Sequence, residues 1–396
     1  MTIHELVASL EPEINAVRQQ IHENPELGLK EYNTSALIEK ELREKTHVDR
    51  IEHIGETGLL VEIKGTKPGA AHCIALRGDM DALPIKEDES HELRSRTDGI
   101  MHACGHDVHT SILLGAVRVL EHYRNQIAGS ILFFFQPSEE TLQGGKLFAE
   151  SPKIDFHTID GVAALHVTPD LCAGKIGVRY GAILGSSDEL TITVKGKGGH
   201  GAHPDTVIDP ILLAAQIVQA LQMLVSRELA ADESGVVSLC SIQGGNAFNI
   251  IPDTVVLKGT IRALDPKVRE HILKRIPEIC SGKAAAERGD AEGNNKLGPR
   301  QLVSDSQWVD RVKRCGSKLL GHENVIELAH PSMGAEDFAF VMEKAPGVFV
   351  RFGSRSEGGP YGGLHSPHFY CDRKALTTGI LTLAGIALDF FDVDFE

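Results

Sequence analysis

The densest concentration of reactive side chains is the run Met101-His102-Ala103-Cys104-Gly105-His106-Asp107-Val108-His109-Thr110, with three histidines, a cysteine and an aspartate in ten residues. Thiolate and imidazole are borderline-soft ligands suited to a transition dication, and Gly105 lets the backbone fold so that Cys104 and His106 face one point. Asp107 and His109 read as groups that orient the ligands, since a metal-bound imidazole usually needs a partner on its other nitrogen. A second candidate is Gln136-Pro137-Ser138-Glu139-Glu140, directly after the apolar run 131–135. Adjacent carboxylates at the end of a buried strand repel each other unless something positive compensates. A metal on one and a water held by the other would do so; alone, the pair reads as a solvated turn. His166, after the apolar run 162–165, and His365, in Gly362-Gly363-Leu364-His365-Ser366-Pro367, are weak signals singly. Beside the first two segments they read as further ligands. Asp79-Met80-Asp81 is another carboxylate pair, equally able to be structural, with Asp81 expected to support the ligands.

A different set lies later in the chain: Gly198-Gly199-His200-Gly201-Ala202-His203-Pro204, Asn249-Ile250-Ile251-Pro252 and Arg262. The glycines fit neither phosphate-binding spacing, GxGxxG or GxxxxGK[ST]. An imidazole, an amide and a guanidinium are instead suited to holding a carboxylate substrate and a developing oxyanion.

These residues need a scaffold. Thr2 and Glu5 form a capping box before apolar residues at helical spacing, a helix that stops at Asn24-Pro25. Short apolar runs at 59–63, 73–76, 131–135 and 162–165 read as buried strands, with a further strand at 348–352 and helices over 110–123, 308–320 and 373–391. That alternation predicts an α/β fold with a mainly parallel sheet, in which ligands gather beyond the carboxyl ends of the strands. From about 187 the texture changes to strand, helix, strand, strand, helix, an inserted α+β unit expected to be an incomplete ferredoxin-like one, with the polar stretch 289–299 as its exit. The expected domains are 1–185 with 298–396, interrupted by 186–297.

Composition limits the partners. Forty Lys+Arg against 55 Asp+Glu give a net charge of −15 without a basic run, the wrong sign for nucleic acid. The longest apolar stretches fall short of the roughly 18 residues that cross a bilayer, and the first turns are charged, so a cytoplasmic protein without a membrane partner is expected. Seven scattered cysteines without a CxxC pair argue against a disulfide framework.

The chain resembles the aminoacylase / carboxypeptidase G superfamily of metallopeptidases, within it the amidohydrolase branch of hippurate hydrolases and auxin–amino acid conjugate hydrolases. The resemblance is carried by His22-Glu23-Asn24-Pro25-Glu26-Leu27-Gly28, Arg77-Gly78-Asp79-Met80-Asp81-Ala82-Leu83-Pro84, the run from Cys104, the run from Gln136, Leu165-His166, the glycine-rich run from Gly198, Asn249–Pro252, Gly334-Ala335-Glu336-Asp337-Phe338 and Leu364-His365. It implies a zinc-peptidase-like catalytic domain with an inserted lid and dimerisation domain. It further implies two divalent metal ions per subunit, Zn or Mn with Co or Ni as alternatives, held by Cys104, His106, Glu140, His166 and His365, with Glu139 as general base. His200 corresponds to the lid histidine that stabilises the oxyanion, and His203 is a substitute candidate. Asn249 and Arg262 match positions associated with the substrate carboxylate. The implied reaction is hydrolysis of an N-acyl amino acid to a carboxylic acid and an amino acid, by a homodimer or higher homo-oligomer. A dipeptidase or carboxypeptidase on the same fold is the nearest alternative, and a catalytically inactive binding protein the remote one.

Overall fold

A computed structural model describes residues 1–395, which divide into two compact units. The first comprises Met1–Ile183, Val303–His330 and the chain from Glu336 onward; the second comprises Leu184–Leu302 and Pro331–Ala335.

The first unit is built on an eight-stranded sheet in the order Arg50–Ile54, Gly58–Lys64, Gly129–Gln136, His72–Asp79, Gly161–Cys172, Gly347–Arg355, Ile176–Val178, Val325–Glu327. The four middle strands, from Gly129–Gln136 to Gly347–Arg355, are mutually parallel. Antiparallel pairings flank them on both sides. Parallel strands covered on both faces read as continuous apolar runs, and Ile131–Phe135 is such a run, every residue buried. Phe133 and Phe135 point into the main core, while Phe134 meets Phe148 on the other side at 5.2 Å between ring centroids. The helices Ile3–Glu23, His106–His122 and Arg373–Phe390 pack on one another over the core face. The capping box forms as expected, Glu5 N donating to Thr2 Oγ1 and Thr2 N to the Glu5 carboxylate.

The second unit has its own core and a four-stranded antiparallel sheet, ordered Gly235–Gln243, Thr254–Ala263, Asp188–Lys195, Asp290–Leu297. Its helices, Pro210–Met223 and Pro266–Ala286, begin with Asp209 and Asp265 accepting from backbone amides and with proline in the first turn. Here the structure corrects an expectation. The polar stretch after residue 289 is no exit loop but an edge strand paired along the whole of Asp188–Lys195. It completes a ferredoxin-like βαββαβ unit. The helical stretch Pro210–Glu228 is by length and composition apolar enough to cross a membrane. Leu213, Ala214, Ile217, Leu221 and Leu224 are nevertheless buried in the core of the unit.

Candidate metal centre and active site

The helix His106–His122 starts at Gly105, whose φ of +78° is a left-handed conformation open to glycine. A Cβ at that position would lie 2.7 Å from Val167 Cγ2. This turn places Cys104 and His106 beside His166 on the neighbouring parallel strand. Donor atoms of Cys104, His106 and His166 all lie within 4.8 Å of one another, as do those of Cys104, Glu140 and His365, and those of His106, Glu139 and Glu140. Cys104 therefore belongs to two overlapping three-donor groups.

His166 and His106 are each aimed by the other ring nitrogen. His166 Nδ1 donates to the Val167 carbonyl at 2.7 Å, leaving Nε2 to face Cys104 Sγ at 3.3 Å. His106 Nδ1 donates to Asp81 Oδ1 at 3.1 Å. Asp81 also accepts from the backbone amides of Glu139 and Glu140, each at 3.0 Å, so one carboxylate fixes both the ligand ring and the Glu-Glu turn. His365 Nε2 lies 3.3 Å from Glu140 Oε1, its backbone at φ +60° and its amide tied to the Ala103 carbonyl at 2.9 Å.

The site fits a cation. His106 Nε2 is buried without a hydrogen-bond partner among the described residues, and such an orphan costs on the order of 1–3 kcal/mol unless something binds it. Sulfur, nitrogen and carboxylate donors together suit a transition dication. Burial, followed by the charges of Arg351 and His109, pushes His166 well below the usual imidazole range and keeps its lone pair free. Hydrogen bonds with Cys104 and Glu140 carry His365 up to about 10. Burial, then the negative charges of Glu336 and Asp337, pushes the Glu139 carboxyl well above its usual range.

Residues 75–389 match the model of the peptidase family M20/M25/M40. The chain belongs to this family. It is 37% identical over 378 residues to the IAA-amino acid hydrolase ILR1-like 2 of Arabidopsis thaliana, covering 94% of this chain and 84% of that protein. It is 36% identical over 370 residues to the N-acetyl-L-cysteine deacetylase of Bacillus subtilis, covering 93% and 86%. A dinuclear metal binding peptidase of the M20 family from Bacillus subtilis superposes with a TM-score of 0.83 at 31% identity, covering 98% of this chain and all of that one. The protein is an M20-family hydrolase.

In this M20 protein Asp107 departs from the expected role. It accepts from Arg18 Nε at 3.1 Å and His22 Nδ1 at 3.0 Å, and no hydrogen bond joins its side chain to a candidate ligand. The bracing comes from Asp81, and from Asp79, which accepts from His109 Nδ1 at 2.6 Å. His109 Nε2 is itself occupied, accepting from Val167 N at 2.9 Å. Two residues had no sequence-level assignment. Arg77, fully buried, donates to Asp79, Gln136, Glu336 and Asp337, and so ties Glu336-Asp337 to the strand ends. Arg351 is the other.

His200, Asn249 and Arg262 lie in the second unit. His200 and Ile250 pair in a two-stranded ribbon, and Gly201 N donates to the Asn249 carbonyl at 2.9 Å, so His200 and Asn249 are held together, both exposed. His203 is close by, its ring 5.3 Å from that of His200. Arg262 is half-buried in the strand Thr254–Ala263.

Proposed function

We propose that the protein hydrolyses the amide bond of N-acyl amino acids, using two divalent ions held by Cys104, His106, Glu140, His166 and His365. The observation that carries this reading is the pair of donor groups sharing Cys104, set beside Glu139, a buried carboxylate with a raised proton affinity. Bound ions of this kind supply Lewis acidity that lowers the pKa of a water from 15.7 toward about 7. Glu139 accepts the proton of the attacking water and delivers it to the leaving nitrogen; a base of raised pKa suits both transfers. Asp81 holds His106 and the Glu139–Glu140 turn in register through these steps. His200 donates to the oxyanion, a contribution whose loss typically lowers the rate by about 10²–10³. Asn249 and Arg262 hold the α-carboxylate. The relatives that act on an IAA–amino acid conjugate and on N-acetyl-L-cysteine support the substrate class. The second unit, with Ile211, Leu212 and Met223 exposed, is read as the surface that joins two copies.

A screen of benzoyl, acetyl, long-chain acyl and indole-acetyl amino acids beside dipeptides, with Mn²⁺, Zn²⁺ or Co²⁺ added separately, tests the reading. Turnover of acyl amino acids that collapses in Glu139→Gln is expected. Turnover of dipeptides alone would make the protein a dipeptidase or carboxypeptidase. No turnover of either, with Glu139→Gln indistinguishable from the parent, would end the enzymatic reading. Light scattering during size exclusion checks the dimer.

A further inference from the structure

Arg351 is a charge the mechanism above leaves unused. It lies on the strand Gly347–Arg355, and in the parallel register its partner on Gly161–Cys172 is His166. Val348, Val350 and Phe352 belong to the main core. Alternation therefore turns Phe349 and Arg351 to the opposite face, where the His166 ring meets Phe349 at 6.2 Å between centroids. The guanidinium stands beside a candidate metal ligand.

It is also unspent. Arg18, Arg77 and Arg269 are each closed by carboxylates, whereas the side chain of Arg351, only partly exposed, makes no hydrogen bond or ion pair among the described residues. The acidic groups whose ionised forms reach it are Cys104, Glu336 and Asp170. Each has another partner: Cys104 faces His166, Glu336 accepts from Arg77, and Asp170 accepts from Thr168 and Tyr361. Burial lowers its pKa against their pull, so the cation is held where water serves it poorly. Five fixed donors in a forked plane, half-desolvated, match a carboxylate. Cations held by His166 and Cys104 would repel this arginine, and an anion between them would relieve the repulsion.

We propose that Arg351 is a specificity-determining residue that receives a second carboxylate of the substrate, making acidic N-acyl amino acids the favoured class. This rests on the proposed hydrolase activity and adds to it, because the α-carboxylate is already assigned to Asn249 and Arg262. The extra carboxylate sits either on the amino-acid side chain or at the far end of the acyl group.

The test compares kcat/KM within two matched pairs on the metal-loaded enzyme. N-acetylglutamate against N-acetylglutamine probes the side chain; N-succinyl-leucine against N-butanoyl-leucine probes the acyl end. In the parent, the acidic member of one pair is favoured. In Arg351→Met that acidic-to-neutral ratio falls about 10- to 100-fold, chiefly through KM, as expected for a lost charge-assisted hydrogen bond. Arg351→Lys, which keeps the charge and loses the fork, gives an intermediate ratio and serves if the methionine variant does not fold. An unchanged ratio in both pairs overturns the proposal while leaving the hydrolase reading intact. If no substrate turns over, calorimetric binding of glutarate to the metal-loaded parent and to Arg351→Met decides: about tenfold weaker binding in the variant supports the site, and equal binding overturns it.

Discussion

At the scale of single residues, the site depends on side chains that aim others. Asp81 is the clearest, since it touches His106 and both amides of the Glu-Glu turn. Asp81→Asn should leave the fold intact and weaken metal affinity by about 10- to 100-fold, as losses behind a ligating histidine usually do. Competition against a chromophoric chelator measures it, and an unaltered affinity would contradict the assignment. Gly105→Ala is expected to be more damaging. Its Cβ would meet Val167 in a backbone conformation that only glycine adopts freely, a strain of about 1–3 kcal/mol placed between two ligands. Both the melting temperature and metal uptake should fall. The candidate ligands were legible in the sequence because they follow apolar strands at short spacing, where burial makes a Cys, a His or a Glu pair conspicuous. Arg77 and Arg351 were not. Arg77 opens the run to Pro84 but has no role written in it, Arg351 interrupts an apolar strand without a motif, and what defines each is distant in sequence: Glu336 and Asp337 for Arg77, and the want of a partner for Arg351.

At the scale of elements, the helix Ile3–Glu23 is fastened to the start of the helix His106–His122 by ionic contacts. His22 sits between Asp107, at 3.0 Å, and Glu87, at 3.1 Å, while Arg18 closes on Asp107. Burial disfavours the His22 cation, but the two carboxylates outweigh it and raise the pKa from 6.5 to about 9. A raised folded-state value means the stabilisation is complete below pH about 6.5 and is lost as pH climbs through about 9, on the order of 3 kcal/mol in all. Urea unfolding followed from pH 6 to 9.5 should show the parent weakening across that window and His22→Gln following a flatter curve. Parallel curves would show that His22 does not titrate there. The edge strand Asp290–Leu297 marks the limit of pattern reading for elements. Asp-Ala-Glu-Gly-Asn-Asn-Lys-Leu lacks the apolar alternation of a strand because only Ala291 is buried. Pairing with Asp188–Lys195 supplies the rest, and such context overrides local preference in edge strands.

At the scale of the whole molecule, two units with separate cores should melt separately, and the candidate ligands all belong to the first. Calorimetry with and without a chelator should therefore move one transition and leave the other in place. Free metal at 100 times its dissociation constant would raise the first unit by about 2.7 kcal/mol; a shift in both transitions, or in neither, would contradict this. The α/β class was readable from the alternation of apolar runs with helical spacing. The strip Pro331–Ala335 was not, because its place with the second unit rests on backbone bonds such as Gly185 N to the Ser332 carbonyl at 3.0 Å, which leave no trace in side-chain pattern. The order of strands also governs time. Gly347–Arg355 lies between Gly161–Cys172 and Ile176–Val178 in the sheet, although it is made long after both. At 5–20 residues per second, a ribosome would leave the edge of Gly161–Cys172 open for roughly 10–40 s. The nascent chain spends that interval with a hydrogen-bonding edge beside Cys104 that a second nascent chain could capture.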